Sequence, residues 1–238
     1  NIMDYVKKIR EKMNKTGGVI TSKDLKDSNI PTIYLTRMTE KGELIRVDRG
    51  IYINSNGDYD EHYFFHNRCK VAVFSYISAL YLHQFTDIIP VEMEVTVYKG
   101  YNAHRISGKV RIHYTTKAIY DLGITKCQTI FGNTVQVYDL ERTICDIIKS
   151  RSEIETEVFS KTINKYIRYN NKDLNKLYEY SKKMKIYEKV KEVLIEKIVS
   201  YGGSYARKHG KKIPFAEDFL KLAKLEAAES FVAKRKGL

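Results

Sequence analysis

Cysteine is scarce in this chain of 238 residues, and the cysteines that occur show no pairing pattern. Cys69, Cys127 and Cys145 are odd in number and far apart, and the chain contains no CxxC pair. A disulfide framework or a structural zinc site needs paired or closely spaced cysteines. Because all three lie among apolar neighbours, we expect them to be reduced core residues of a cytosolic protein.

Long apolar runs are also missing from the sequence. No stretch approaches the roughly 20 apolar residues that a membrane-spanning helix needs. Residues 1–15 predict an amphipathic, charged helix, which differs from the apolar centre of a signal peptide. The sequence therefore predicts a cytoplasmic protein that does not associate with a membrane.

The common motifs of nucleotide-binding proteins and hydrolases do not occur. The chain has no GxxxxGK[ST], no GxGxxG and no GxSxG sequence. His62 and His66 have the spacing of two metal ligands on one helix face, but no third ligand lies at a supporting distance in the sequence. The aromatic residues between them favour packing. We therefore expect no enzyme activity, no metal and no cofactor.

One acidic pattern leaves an enzymatic alternative open. Glu92 and Glu94 alternate on a predicted strand, and Lys99 follows that strand. A metal-dependent nuclease needs acidic residues on a strand near a lysine. An exposed strand face produces the same alternation and is the interpretation that we favour.

Positive charge dominates the two ends of the chain, which has a net charge of +13. Residues 1–54 carry 11 basic and 7 acidic side chains, and residues 149–238 carry 22 and 12. The centre, residues 55–148, carries 9 and 10. Neutralisation of phosphates supplies most sequence-independent affinity for nucleic acids. Two basic ends therefore favour a polyanionic partner such as duplex DNA.

Residues 19–41 predict two short helices separated by a turn. Thr21 stands three residues before Asp24, a capping-box pattern that starts the first helix. Small polar residues and a proline at positions 28–31 favour the start of a second helix. Leu35 and Met38 are three residues apart in that helix and share one face.

A predicted hairpin follows the second helix. Gly42 ends the helix, and alternating residues at 44–47 predict a strand. A tight turn at residues 48–50 leads to a second strand at residues 51–53. This order of elements is that of a winged helix-turn-helix, in which the second helix enters the major groove of DNA.

The predicted outer face of the second helix has side chains suited to reading bases. Threonine and arginine can bond base edges, and isoleucine can contact a thymine methyl group. Arginines on the hairpin can contact the DNA backbone or the minor groove. We therefore expect DNA contacts from Thr32, Ile33, Thr36 and Arg37 on the helix and from Arg46 and Arg49 on the wing.

The remainder of the chain predicts a small sheet followed by helices. Residues 60–85 have helical spacing, strands are expected at residues 91–98, 109–114 and 134–138, and Asp139 caps a helix. Residues 154–201 are helical almost throughout, and Gly202-Gly203 predicts a break. The fold class is α/β (α+β). We expect a winged domain at residues 1–56, a domain with a mixed sheet and a helical bundle at residues 57–201, and a basic segment with one amphipathic helix at residues 202–238.

Five sequence segments resemble those of the AbiEi family over residues 3–201. They read GVITSKDL, YLTRMTEKGELIRVDRGIYI, SALYLHQFTDIIP, GKVRIHY and VYDLERTICDII. AbiEi proteins are antitoxins of type IV toxin–antitoxin systems, which give abortive infection immunity against phage. The combination of the wing sequence with the later segments discriminates this family better than the wing alone, since similar wings recur in many regulators.

The resemblance implies an autorepressor with a second activity. In the family, the winged domain binds inverted repeats at the promoter of its own operon, and a separate C-terminal domain opposes a nucleotidyltransferase toxin without needing a stable complex. The same winged helix fits monomers that bind each repeat separately and a preformed dimer, and we expect a monomer in solution with two copies on each operator. The residues that the resemblance makes candidates for an antitoxin surface are Ser78, His83, Glu141, Arg142 and Asp146. A structural role is the alternative for Glu141 and Arg142, because breaking a buried arginine–carboxylate pair is costly.

Further expectations concern the basic helical region at residues 149–197. Lys182, Lys183 and Lys185 are candidates for a second DNA contact that would help to bend the operator. The alternatives to this function are a metal-dependent nuclease guided by the winged domain and an antitoxin that binds its toxin directly.

Overall fold

The computed structural model describes residues 2–106, 108–209 and 216–235. Its helices are α1 Ile2–Lys15, α2 Ser22–Asp27, α3 Ile33–Glu40, α4 Glu61–Arg68, α5 Tyr76–Leu82, α6 Lys117–Tyr120, α7 Leu140–Lys149, α8 Thr156–Arg168, α9 Leu174–Lys183, α10 Tyr187–His209 and α11 Ala216–Arg235. Its strands are β1 Val19–Thr21, β2 Leu44–Asp48, β3 Ile51–Asn54, β4 Val73–Phe74, β5 Met93–Tyr98, β6 Val110–Thr115, β7 Ile124–Gln128 and β8 Thr134–Tyr138. The protein thus has the mixed α/β fold that the sequence predicts.

The chain divides into two compact units, each of which is discontinuous in sequence. Unit 1 consists of residues 1–73, 103–106 and 126–137. Unit 2 consists of residues 74–102, 107–125 and 138–238. Unit 1 therefore includes more of the chain than the winged domain expected at residues 1–56.

Unit 1 contains a winged helix-turn-helix with a three-stranded sheet in the order β1-β3-β2. Both pairs are antiparallel, with Val19 and Ile45 on opposite sides of Ile53. A bulge interrupts the β2–β3 ladder between Arg46 and Asp48, and such bulges increase the local twist. The helices cover an apolar core formed by Ile9, Met13, Ile20, Leu25, Ile30, Tyr34, Leu35, Met38, Leu44 and Tyr52.

The turn between β7 and β8 completes unit 1 through a buried carboxylate. Asp60 is 2% exposed, and its Oδ1 accepts a hydrogen bond from the backbone N–H of Tyr63 at 3.0 Å, which caps α4. Its Oδ2 accepts bonds from the Thr129 hydroxyl at 2.5 Å and from Nδ2 of Asn133 at 2.8 Å. Asn133 Nδ2 also donates to the carbonyl oxygen of Thr16 at 2.8 Å. The bonds from Thr129 and Asn133 join segments more than 60 residues apart in sequence.

Unit 2 combines a parallel strand pair with a helical core. Strands β5 and β6 pair in parallel from Met93 opposite Val110 to Tyr98 opposite Thr115. The core consists mainly of residues from α5, α7, α8, α9 and α10. Helix α7 is at its centre, and eight of its ten residues are buried.

The structure corrects two features that were predicted from the sequence. Residues 60–85 do not form one helical region, because strand β4 separates α4 from α5. Short apolar runs fit helix and strand patterns equally well, which explains the error. The break predicted at Gly202-Gly203 is also wrong, since α10 continues to His209. Glycine inside a helix costs only about 1 kcal/mol relative to alanine, so it weakens a helix without ending it.

Within residues 2–106, 108–209 and 216–235, no helix is both long and apolar enough to span a membrane.

Candidate nucleic-acid interface

The first helix of the helix-turn-helix is fixed by the capping box that the sequence predicts. The backbone N–H of Asp24 donates to the Thr21 hydroxyl at 3.1 Å, and the backbone N–H of Thr21 donates to the Asp24 carboxylate at 2.8 Å. After α2, Asn29 adopts a left-handed conformation with φ of 53°. The backbone N–H of Ile30 then donates to the Leu25 carbonyl at 2.8 Å. This turn sets the direction in which α3 leaves α2.

Helix α3 has one buried face and one exposed face. Tyr34, Leu35 and Met38 are buried in the core of unit 1. The four residues predicted to contact DNA from this helix are all exposed, and they are Thr32, Ile33, Thr36 and Arg37. Ile33 is 51% exposed, although it is apolar. This pattern leaves an unoccupied surface of mixed apolar, hydroxyl and guanidinium groups, which matches the chemistry of base edges.

The guanidinium of Arg37 lies near the edge of this face. Its central carbon is 5.4 Å from the ring centroid of Tyr34, a distance typical of a cation–π contact. The Tyr34 ring is buried and Arg37 is exposed, so this contact restricts the guanidinium at the surface of α3. Restricting the side chain before binding reduces the entropy that a contact with DNA would cost.

Asp48 holds the turn of the wing. Its Oδ1 accepts a hydrogen bond from the backbone N–H of Arg49 at 2.6 Å, and its Oδ2 forms a salt bridge with Nε of Arg68 at 3.1 Å. Arg46 and Arg49 are both exposed. The wing therefore presents two cationic side chains on a fixed backbone.

The three lysines predicted to make a second DNA contact lie at the end of α9 in unit 2, and all are exposed. Lys182 forms a salt bridge with Glu229 at 3.2 Å, and Lys183 forms one with Glu179 at 2.6 Å. Lys185 follows the helix with φ of 58°. Two of the three charges are thus partly neutralised by neighbouring carboxylates. The three lysines are therefore expected to contribute less to DNA affinity than three unpaired lysines would.

The predicted antitoxin surface needs a correction, because most of its residues are inside unit 2. Ser78, Glu141, Arg142 and Asp146 are at most 6% exposed. His83 is partly buried, with Nε2 at 2.7 Å from the carbonyl oxygen of Tyr138. These residues therefore do not form a continuous exposed surface, and the contacts that they make point to the structural alternative.

Arg142 is the centre of the buried polar contacts in unit 2. Its Nε donates to Asp146 at 3.1 Å, and its Nη1 donates to the carbonyl oxygens of Ile119 at 2.6 Å and Leu122 at 2.7 Å. The guanidinium also lies 4.0 Å from the ring centroid of Tyr138. Burial disfavours its charge, but Asp146 and Tyr138 favour it, and the pKa of Arg142 is raised overall.

The neighbouring Glu141 joins α7 to the helices around it. Its Oε1 accepts hydrogen bonds from the backbone N–H of Asp173 at 2.8 Å and from the Tyr166 hydroxyl at 3.4 Å. Burial raises the pKa of Glu141, and the bond from Asp173 opposes that rise. Glu141 thus caps the start of α9 from inside the core, a role that the spacing of the sequence could not reveal.

The residues of the nuclease alternative do not come together as a metal site. Glu94 forms a short contact with Nε2 of His113 at 2.7 Å, while Glu92 and Lys99 are exposed. In the described ranges, no group of three or more His, Cys, Asp or Glu side chains has the arrangement needed to hold a metal ion. The structure therefore gives this alternative no support.

Comparison with known proteins gives one finding about the family. Residues 9–55 match the family model described as "Transcriptional regulator, AbiEi antitoxin", and no curated protein shows a significant match. The matched range extends from within α1 to just after β3, so it includes both helices of the helix-turn-helix and the wing. The resemblance noted in the sequence is thus confirmed for this segment. Residues 9–55 are thus similar to AbiEi antitoxin transcriptional regulators.

Proposed function

We propose that this protein is a DNA-binding autorepressor and the antitoxin of a type IV toxin–antitoxin system. The observation that carries the proposal is the exposed face of α3 in a segment that matches the AbiEi family model. In this proposal, α3 enters the major groove and the wing contacts the backbone or the adjacent minor groove. Thr36 and Arg37 contact base edges, while Arg46 and Arg49 supply charge on the wing.

Replacing Arg37 with alanine is expected to weaken binding to the upstream DNA of the protein's own operon by roughly 10- to 100-fold, as expected for loss of a base contact. The measurement is a mobility-shift titration of the full chain against that DNA and against a scrambled duplex. Loss of a base contact weakens operator binding more than binding to the scrambled duplex.

The matched control is Lys161→Ala, which removes the same charge from an exposed helix position in unit 2. We expect that variant to bind the operator within about twofold of wild type, since one remote surface charge contributes little. If Arg37→Ala weakened operator and scrambled DNA equally, Arg37 would be a phosphate contact instead. Wild-type binding that ignored sequence would refute the repressor proposal.

The operator is proposed to be an inverted repeat with one copy of the protein on each half. Two monomers that read symmetric half-sites need a spacing of one helical turn of DNA or a multiple of it. Light scattering of the free protein, of its complex with the whole operator and of its complex with one half-site gives the stoichiometry. A dimer on an isolated half-site would contradict this arrangement.

Reversing the charge at Lys182, Lys183 and Lys185 is expected to weaken binding to all DNA sequences and to reduce the salt dependence. Each lost phosphate contact lowers the slope of log K against log salt by about 0.9. Because two of these lysines already have acidic partners, we expect the slope to fall by about 1 to 2. Titrations at several salt concentrations measure the slope.

A triple reversal at the exposed residues Lys117, Lys161 and Lys189 changes the net charge by the same amount and serves as the control. If both triple variants lowered the slope equally, the effect would come from total charge. An unchanged slope in the first variant would remove the second DNA contact from the proposal.

The antitoxin half of the function is proposed for residues 57–201, which oppose a nucleotidyltransferase toxin without a stable complex. Co-purification and calorimetry with the toxin separate this proposal from direct binding, which would give a stable complex. A nuclease would instead cleave supercoiled plasmid in the presence of magnesium, whereas a repressor leaves it intact. Because most of the residues first expected to form the antitoxin surface are buried, exposed side chains of unit 2 are the better targets for loss-of-function screening.

A further inference from the structure

A basic pocket lies in unit 1 beside the turn of the wing. The "basic pocket" is defined by Lys23 on α2, Arg49 on the wing turn, His66 on α4, Lys70 just after α4, and Lys126 on β7. The pocket has a volume of about 850 Å³. Its residues come from α2, the wing turn, the end of α4 with the residues after it, and β7, so the fold brings together side chains that are distant in sequence.

Hydrogen bonds hold the walls of the basic pocket in place. On one side, the backbone N–H of Ser22 donates to the Gly50 carbonyl at 2.8 Å. The two residues are packed closely, since a Cβ atom at Gly50 would lie only 3.1 Å from the Ser22 hydroxyl oxygen. On the other side, Asn133 binds Asp60 and Thr16 and thereby fixes the β7–β8 turn. The cationic side chains therefore project from backbone that is already anchored.

Cations outnumber anions in the basic pocket. Two carboxylates, Asp24 and Asp27, also line it. Asp24 Oδ2 already accepts bonds from the backbone N–H and the hydroxyl of Thr21. Among the residues that the structure describes, Lys23, Lys70 and Lys126 form no salt bridge, and Lys70 Nζ donates only to the amide oxygen of Asn67 at 3.0 Å. The pocket thus holds the side chains of Lys23, Arg49, Lys70 and Lys126 against two carboxylates, which leaves a surplus of positive charge.

The electrostatic cost of this arrangement is visible in the ionisation of two residues. Burial and the nearby Lys23 lower the pKa of Lys70. Burial, Lys70 and Lys126 lower the pKa of His66 to about 4. The Nδ1 atom of His66 is buried and has no hydrogen-bond partner within the described residues. Like charges held together in a concave site favour an anion, because one anion interacts with several of them at once.

We propose that the basic pocket binds a phosphate group. Lysine ammonium groups and an arginine guanidinium are the usual partners of phosphate oxygens in proteins. The phosphate comes either from the DNA backbone next to the wing or from a free phosphorylated compound. The first source rests on the proposed DNA-binding function, whereas the second is independent of it.

The test uses the full chain and a double variant, Lys70→Gln with Lys126→Gln, which keeps similar side-chain volume and removes two charges. The control is Lys7→Gln with Lys8→Gln, which removes two charges from exposed positions on α1 in the same unit. Thermal unfolding of both variants establishes that they fold. Isothermal titration with inorganic pyrophosphate and salt-dependent titration with operator and scrambled DNA form the two arms.

If a free compound is the source, wild type binds pyrophosphate at one site, the Lys70/Lys126 variant binds it at least 10-fold more weakly, and the control stays within about twofold. If the DNA backbone is the source, the Lys70/Lys126 variant loses affinity for operator and scrambled DNA alike. Its salt slope then falls by about 2 more than that of the control.

Equal behaviour of the two double variants in both arms would overturn the proposal. Failure of wild type to prefer its operator would instead refute the repressor function while leaving the pyrophosphate arm interpretable. The two failures are therefore distinguishable.

Discussion

Replacing Arg142 with alanine is expected to lower the free energy of unfolding by about 3–5 kcal/mol, the usual cost of breaking a buried ion pair by removing one partner. Arg142 is 1% exposed, and its loss leaves Asp146 without its cation and two carbonyl oxygens without a donor. Since the chain has no tryptophan, urea unfolding followed by circular dichroism is the suitable measurement.

The expected cost of Arg142→Ala depends on pH. Burial raises the pKa of Asp146 in the folded protein, and Arg142 opposes that rise. Without the arginine the folded-state pKa rises further above the unfolded value. A carboxyl group of this kind stabilises the folded state at pH values below its pKa in the unfolded state. That stabilisation is lost as the pH rises through its pKa in the folded state. The difference in the free energy of unfolding between Arg142→Ala and wild type should therefore become smaller as the pH falls from 7 towards 5.

Two further variants show whether the buried pair explains this cost. Arg151→Ala removes an exposed arginine whose guanidinium lies over Phe159, and it should cost less than about 1 kcal/mol. The double variant Arg142→Met with Asp146→Leu should recover part of the loss, because apolar residues of similar size need no counter-charge. If Arg142→Ala cost no more than Arg151→Ala, the central role assigned to Arg142 would be wrong.

Replacing Asp60 with alanine is expected to destabilise unit 1 by about 3–5 kcal/mol, because it leaves three donors without their acceptor, two of them buried, and each buried unpaired donor costs about 1–3 kcal/mol. These donors are the backbone N–H of Tyr63, the hydroxyl of Thr129 and the amide of Asn133. The change removes the side-chain cap of α4 and the anchor of the β7–β8 turn together. Urea unfolding of the full chain measures the loss of stability. Amide hydrogen exchange within residues 9–55 shows how much of that loss falls on unit 1.

Asp58→Ala is the matched control, since Asp58 is exposed and only two residues away. Its cost should stay within about 0.5 kcal/mol. A double-mutant cycle with Asn133→Ala then isolates the Asp60–Asn133 interaction, and a coupling energy near zero would contradict the assigned contact. Wild-type stability in Asp60→Ala would show that the turn is held by other means.

Local patterns made the winged segment predictable from the sequence. The capping box joins residues three apart, and the two faces of α3 follow from the spacing of Leu35 and Met38. The wing could be predicted from a run of alternating residues followed by a tight turn. Each of these signals is contained within a few residues, so no knowledge of the rest of the chain was required.

The buried contacts of both units depended on long-range packing and could not be predicted in the same way. The bond from Thr129 to Asp60 joins residues 69 apart, and no local period marks it. Arg142 and Asp146 are four residues apart on α7, and they form an ion pair in the structure. Whether the pair was exposed or buried depended on the helices packed around α7, which are distant in sequence. The basic pocket was missed for the same reason, since its residues span positions 23–126.

The discontinuity of unit 1 has a consequence for the synthesis of the protein on the ribosome. The segment that matches the AbiEi family model ends at residue 55, but the turn that supplies two of the donors to Asp60 ends near residue 133. At about 5–20 residues per second, translation of the intervening stretch takes roughly 4–16 s. During that interval Asp60 lacks the donors supplied by Thr129 and Asn133, and the basic pocket lacks the wall that β7 and the β7–β8 turn supply. A translation product that stops early would lack the contacts that complete unit 1, so the finished fold of unit 1 depends on elongation well past the winged segment.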